Sequence, residues 1–403
     1  MRKGVIPASA ADTIVNLAFG DLDIDRIAQI SHEKQHSLLG LIQEMQRIAG
    51  PEAGEYVHFG ATTQDIVDTG LVLQAADHYE RYESLLATLR KQLATLTKTY
   101  AQTPYMARSH NVHAVPITFG FVLARYLDEI QRHVDRLTQM KADTLTGVFA
   151  GAVGSHSALG MAGIAVEESL MAELHLQTET VAWHNAPDRL VAYTGELAML
   201  GATLAKIGRQ FYNEASTENQ QLAEPFVGQV GSSTMPHKRN PENFEAIAAL
   251  AEPIFAAQTQ LMHALLSVNE RDAIAWKQLW LALPEIHQYV DRQLTSLIAM
   301  LDGLVVNVDK MQENVARLGD LVYAEDIMMF LADRLGKQTA HEILFEVAKR
   351  SIDQQTDFLT DLMANAAVAE VTSLSELKTV ASFEKTTVEI PTLIAHVLEK
   401  EVG

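Results

Sequence analysis

Cysteine is absent from all 403 residues, which removes disulfides, thiolate metal sites and thiol nucleophiles together and fits a reducing compartment. Proline and glycine are sparse, at 11 and 22, so few positions force an element to stop. Alternating Val/Ile/Thr runs flanked by hairpin turns are scarce as well. Positive charge is in deficit: 31 Lys and Arg stand against 51 Asp and Glu, a formal net charge of −20. Such a surface repels nucleic acid and anionic lipid, and neither is expected as a partner. The opening Met1-Arg2-Lys3-Gly4 carries no hydrophobic signal core, so secretion is not expected and a cytoplasmic location is.

One stretch requires a membrane test, because residues 144–166 carry no formal charge and are long enough to span a bilayer. Five glycines, a Ser155-His156-Ser157 step and the lack of flanking Trp or Tyr argue instead for a buried turn where backbones approach closely.

What the chain does contain is core. Apolar residues make up 48% and charged ones 20%, which excludes intrinsic disorder. Leu85, Leu89, Leu93 and Leu96 step by four, four and three, and Leu123, Leu127, Ile130, Val134, Leu137 and Met140 repeat the stripe. Leu294, Leu297, Leu301, Leu304 and Val308 have the same spacing. The fold expected is all-α, built on long helices. Periodicity breaks around Gly60 to Asp68 and near Leu318-Gly319-Asp320, which divides the chain into 1–68, a long helical middle at 69–317, and 318–403.

Four segments are too polar for core. Gly228 to Pro241 reads GQVGSSTMPHKRNP; Pro241 before Glu242 marks a helix start with proline at the first helical position. Lys238, Arg239 and Asn240 precede that positive end, so the loop is either an anion site for a carboxylate or a solvated basic loop. Arg108-Ser109-His110-Asn111-Val112-His113 offers a proton donor near neutral pH or a satisfied structural histidine. His110 and His113 are i and i+3, yet no third ligand of suitable spacing supports a metal. Tyr56 to Asp65 places His58 before Thr62, Thr63, Gln64 and Asp65, where a threonine caps the next helix with or without a functional role. Glu270-Arg271-Asp272, followed by Trp276 and Trp280, is a buried ion pair or a ligand wall. Ser232 is not expected to be a hydrolase nucleophile, since no GxSxG elbow exists and the expected fold lacks strands.

GSSTMPHKRNP at 231–241 resembles the signature of the fumarase/aspartase superfamily. YVHFGATTQDIVDT at 56–69 and RSHNVHAVPITFG at 108–120 are similar to the other two blocks of its adenylosuccinate lyase and carboxymuconate cycloisomerase branch. The resemblance implies a homotetramer around a long-helix bundle, with each active site built from three subunits. It also implies anti β-elimination of a small di- or tricarboxylate with release of fumarate, through an aci-carboxylate and without metal or organic cofactor. On the matching positions Ser232 would take the Cβ proton with Ser233 beside it, Lys238 and Asn240 would hold the doubly charged carboxylate, and His110 would protonate the leaving group. A hydroxyl is a poor base near neutral pH, so Ser232 requires positive charge beside it. His36, His58, Thr62, Thr63, Gln64, Asp65, Arg108, His113, Met235, Arg189 and Arg271 would bind or support substrate.

The chain departs from both branches. Ala186 and Pro187 replace the Gln-Arg pair that adenylosuccinate lyases carry before the aspartate matched by Asp188, and Trp276 to Trp280 replaces their phosphate-binding Ser-Ser-x-Glu-Arg run. The tryptophans look like the cycloisomerase branch, whereas retention of both His110 and His113 does not. The first expectation is adenylosuccinate-like C–N cleavage; the alternatives are a muconate-type cycloisomerase, a lyase of another N-succinyl compound with an apolar pocket, and a non-catalytic relative.

Overall fold

Scarce proline and glycine leave long helices uninterrupted, and four dominate the computed structural model: Thr63–Thr99, Phe119–Thr144, Asp188–Glu214 and Ala273–Asp302. The structure describes residues 3–226, 228 and 234–402. The stripes read from spacing are buried faces: Leu89, Leu93, Leu123, Ile130, Leu294 and Leu297 are fully enclosed. Burial of each such side chain contributes about 1.5–3 kcal/mol, enough for these stripes to set how the helices pack. Asp188–Glu214 is long and apolar enough to cross a membrane by composition, but 72% of its most apolar window is buried inside the protein, as in a core helix.

The chain groups into two units, each assembled from three stretches. One comprises Met1–Tyr82, Arg136–Ala198 and Ile254–Gln288; the other comprises Glu83–Asp135, Met199–Pro253 and Tyr289–Gly403. The first unit is centred on Val72, Val148, Phe149, Met171, Trp183 and Leu190, with Tyr79 stacked on Tyr193 at 4.8 Å between ring centroids. In the second, Ile327, Leu331, Leu344, Phe358, Leu359 and Leu377 form a core within the C-terminal stretch.

Three local expectations change. The polar stretch at 60–68 is the start of a helix that begins at Thr63 and continues through position 68, so that boundary falls inside one element. The third leucine stripe stops at Asp302; Gly303 packs against Pro225, where an added Cβ would come within 2.7 Å of a ring carbon, and Val305–Val306 pairs with Leu222–Ala223. The third change is a β-hairpin, Pro104–Ser109 against Val112–Thr118, in an otherwise helical chain. Its two-residue turn is His110-Asn111, with φ of 51° and 67°, the conformation for which asparagine is among the best non-glycine residues.

The 144–166 stretch is no spanning helix. Gly147 to Leu159 is irregular, and only at Gly163 does a regular α-helix, Gly163–Glu173, begin. Close approach explains the glycine at 147, where an added Cβ would lie 2.4 Å from the Met171 sulfur.

The hairpin turn yields a prediction. Asn111→Val forces a β-branched residue into the left-handed region and lowers unfolding stability by about 1–2 kcal/mol, while Asn111→Gly is tolerated within about 0.5 kcal/mol. Urea midpoints for the two variants check this; equal loss in both contradicts it.

Candidate active site

In the first unit the site begins with a tight turn. His58 and Gly60 take φ of 64° and 78°, reversing the chain just before the Thr63–Thr99 helix. Asp65, at the third helical position, accepts the Thr62 N–H at 2.8 Å, half of a capping box. The same buried carboxylate accepts the backbone N–H groups of Ala150 at 3.0 Å and Gly151 at 3.1 Å, and meets His184 Nε2 at 2.8 Å. Thr69, one turn on, both donates to the Val148 carbonyl and accepts its N–H. The irregular 146–151 strand of chain is therefore sewn to the helix start. Behind it His156 Nε2 lies 3.2 Å from Glu167, which accepts the Phe149 N–H, and burial beside Glu167 pushes Glu179 up to about 9.

Asp65 was expected to face substrate, and so was Gln64. Both instead point into the protein, each only 1% exposed. The Gln64 amide donates to Asp68 at 2.9 Å and to the His184 carbonyl at 2.8 Å, and its carbonyl accepts from Arg271 Nε at 2.9 Å. Every polar atom of that side chain is committed, so it holds the turn and Arg271. Arg271 also donates from Nη1 to Thr62 Oγ at 2.7 Å, and its guanidinium lies 5.9 Å from the Trp276 ring centroid. Among the described residues Nη2 carries no hydrogen bond, which leaves the half-buried Arg271 with a donor edge for an anion. Trp276 donates its indole N–H to Asp68 at 2.5 Å and meets Trp280 edge-to-face at 4.3 Å.

His36 accepts the Leu39 and Leu38 N–H groups on Nδ1, at 3.0 and 3.3 Å, which leaves the proton of a neutral ring on Nε2, 3.5 Å from Thr63 Oγ. Burial, aided by His36 and opposed by Asp65, lowers the pKa of His58. Arg189, expected at substrate, donates to the exposed Asp143 at 2.9 Å. A pair so open to solvent holds its arginine weakly.

In the second unit the hairpin presents His110 at its exposed tip, while His113 is half-buried with its pKa lowered by burial and then by Arg108 and Arg317. Arg108 turns inward. It donates to Glu214 at 3.3 Å and to the Asn219 side chain at 3.2 Å, beside Tyr105, whose hydroxyl donates to Glu214 at 2.5 Å. Gln221 also donates to Glu214. The Arg108 charge is thus largely spent on anchoring the hairpin; burial pushes the Glu214 carboxyl up, against the pull of these donors.

Ser232 and Ser233 lie outside the described residues. After them, Met235 and Lys238 are exposed, the Lys238 N–H closing a turn on the Met235 carbonyl at 3.0 Å. Asn240 is half-buried and lines a cavity of about 220 Å³ with Glu224, Phe226 and Arg239. The helix Glu242–Ala249 starts one residue later than expected, with Pro241 as its N-cap. One backbone N–H of its positive end is taken by a carboxylate of the protein itself. Glu224 accepts the Phe244 N–H at 2.7 Å and the Asn243 side chain at 2.8 Å, and Glu242 and Glu245 add negative charge in the first turn. Arg239 stacks over Phe226 at 4.1 Å.

Residues 5–256 match the family described as Lyase, and residues 320–397 match the adenylosuccinate lyase C-terminus family. The chain belongs to the fumarase/aspartase lyase superfamily. It is 41% identical to N-acetyl-S-(2-succino)cysteine lyase of Enterococcus italicus over 93% of this chain and 83% of that protein. It is 37% identical, over the same shares, to the protein of that name from Dickeya dadantii. The crystal structure of 3-carboxy-cis,cis-muconate lactonizing enzyme from Pseudomonas putida superposes with a TM-score of 0.88 at 31% identity, covering 99% of this chain and 90% of that one. The protein is an enzyme of this superfamily, and the all-α expectation holds for its architecture.

Residue-type reasoning missed Asp68, His184, Glu214 and Glu224. Asp68 had a signal, since it stands four residues after Gln64 on one helix face. The other three meet partners distant in sequence, which spacing does not reveal.

Burial also makes Asp68 a pH probe. Its carboxyl is pushed from 3.8 up to about 6 by burial, with the Trp276 and Gln64 hydrogen bonds opposing. The folded state then binds the proton more tightly than the unfolded one, so this contribution is full below about pH 4 and is lost as pH rises through 6, amounting to about 3 kcal/mol. Asp68→Asn flattens the unfolding free energy between those limits; an unchanged slope contradicts the assignment.

Proposed function

We propose that the protein releases fumarate by anti β-elimination from a small succinylated thiol or amine, with the succinylated thiol as the first substrate class. One observation carries this reading: Arg271 is fixed by Thr62 and Gln64 with its remaining donor edge beside an indole wall, a receptor for one carboxylate backed by apolar surface. The identity with two N-acetyl-S-(2-succino)cysteine lyases supports the same class of small polycarboxylate. Ala186-Pro187 and the Trp276–Trp280 pair stand where a nucleotide would need polar contacts.

In this mechanism Ser232, with Ser233 beside it, removes the Cβ proton. Lys238 and Asn240 take up the charge that develops on the adjacent carboxylate, and the electron pair then forms the double bond as the bond to sulfur or nitrogen breaks. His110 supplies a proton to the departing atom. Arg271 holds the other carboxylate, with Thr62, Thr63, His36 and His58 lining its turn and His113, Met235, Arg108 and Arg189 in supporting roles. The enzyme is read as a homotetramer with sites shared by three subunits, acting on a small di- or tricarboxylate.

A second reading, adenylosuccinate cleavage, is favoured by the match of residues 320–397 to the adenylosuccinate lyase C-terminus. The two leaving groups differ in what they ask of His110. A thiolate, of pKa about 8.5, departs with little help, whereas an amide-like or amine nitrogen requires protonation.

Purified protein is mixed with N-acetyl-S-(2-succino)cysteine or adenylosuccinate, and fumarate is followed by ultraviolet absorbance. The succinylated thiol is expected to turn over with kcat/KM about 100-fold or more above adenylosuccinate. The reverse ranking overturns the leaving-group assignment, and absence of fumarate from both overturns the elimination. Ser232→Ala lowers kcat by about 10²–10⁴, and His110→Ala does so for an N-succinyl substrate but falls less for the S-succinyl one. Turnover within a few-fold of wild type in both variants contradicts their roles.

A further inference from the structure

Asp68 is fully buried, yet among the described residues no cation touches it. From the described residues its two oxygens receive neutral donors: the Trp276 indole N–H at 2.5 Å on one and the Gln64 amide at 2.9 Å on the other. A carboxylate in such surroundings disfavours folding at neutral pH, because desolvation of the charge exceeds what two neutral hydrogen bonds return. The titratable groups around it are Asp65, which pushes its pKa up, and His184, which pulls it down. An asparagine or a hydrophobic residue would fill the site at less expense.

Both donors lead to the same place. Because Asp68 accepts the Gln64 amide N–H, together with the His184 carbonyl, the Gln64 carbonyl oxygen is forced to face Arg271 Nε. A flipped amide would set N–H against N–H. The other donor, Trp276, presents its ring to the same guanidinium at 5.9 Å. The arginine is thereby held from two sides by groups whose orientation one carboxylate determines.

We infer that Asp68 is the positioning residue for Arg271: through Gln64 and Trp276 it aims the guanidinium at the substrate carboxylate and fixes the indole wall that limits the leaving group to small size. The inference rests on the assignment of Arg271 to substrate made above. Asp68 itself touches no substrate. Its retention is a case of stability given up for a preorganised binding group.

The test uses full-length protein with N-acetyl-S-(2-succino)cysteine as substrate and four variants: Asp68→Asn, Trp276→Phe, their combination, and Arg271→Gln. Asp68→Asn offers an N–H where an acceptor is needed, and it is expected to raise KM about tenfold or more with a smaller change in kcat, while the melting temperature at neutral pH stays level or rises. Trp276→Phe keeps a ring but loses the N–H, and is expected to raise KM to a similar degree. The double variant is expected to be little worse than either single one, since both remove one shared bond. A fall in melting temperature that parallels the loss of kcat/KM, with KM unchanged, makes Asp68 structural and overturns the inference; so does full additivity. Arg271→Gln separates the two levels. If it leaves KM unchanged, the assignment of Arg271 fails; if it raises KM and Asp68→Asn does not, only the role of Asp68 fails.

Discussion

The Asp65 carboxylate is the interaction on which the first unit's site depends. It gathers three backbone N–H groups and one imidazole, drawn from the turn at Thr62, the loop at Ala150 and Gly151, and His184. The Ala150, Gly151 and His184 donors would be unsatisfied buried groups without it, at about 1–3 kcal/mol apiece, so its removal would release the turn and the loop together. What the turn then presents is small: the Thr62 hydroxyl, Thr63 beside His36, and an arginine seated on Thr62 and Gln64. In a molecule of net charge −20, one such fixed cation is a local site of opposite sign that can attract an anion.

A parallel logic operates in the second unit. Glu214 is buried among Tyr105, Arg108 and Gln221, so a single carboxylate ties the hairpin that carries His110 to the chain leading toward the signature segment. Glu224 does the same for the helix that follows that segment, accepting the Phe244 N–H and the Asn243 side-chain amide. The side chains of Lys238 and Asn240, exposed and half-buried respectively, are the polar groups that the segment leaves nearest that helix end. In both units a buried acid organises the loop and leaves a different, more exposed polar residue beside it.

How much of this was legible follows from what each signal measures. Leucine spacing reports packing along a helix, and it located the long helices because burial of those stripes decides their position. It failed at Leu304 and Val308, where Gly303 and a short strand pair interrupt a pattern that composition alone continues. The hairpin escaped notice because its first strand, Pro104–Ser109, has no β-branched residue and Pro116 interrupts the second; only Asn111 marked the turn. Motif likeness marked the segments of the site but did not say which way each side chain faces. Gln64, Asp65 and Arg108 are polar residues in a functional segment whose partners lie inside the protein, at separations of up to 207 residues. No local pattern distinguishes an inward from an outward carboxylate there; the contacts do.

The most direct measurement is a crystal structure of the Ser232→Ala protein with fumarate or the succinylated cysteine bound. A turn held by Asp65 that presents Arg271 to substrate predicts a ligand carboxylate oxygen about 3 Å from the Arg271 guanidinium and close to Thr62, with the Arg271–Gln64 hydrogen bond intact. Ligand bound elsewhere, with Arg271 unmoved and facing only protein or water, would contradict it.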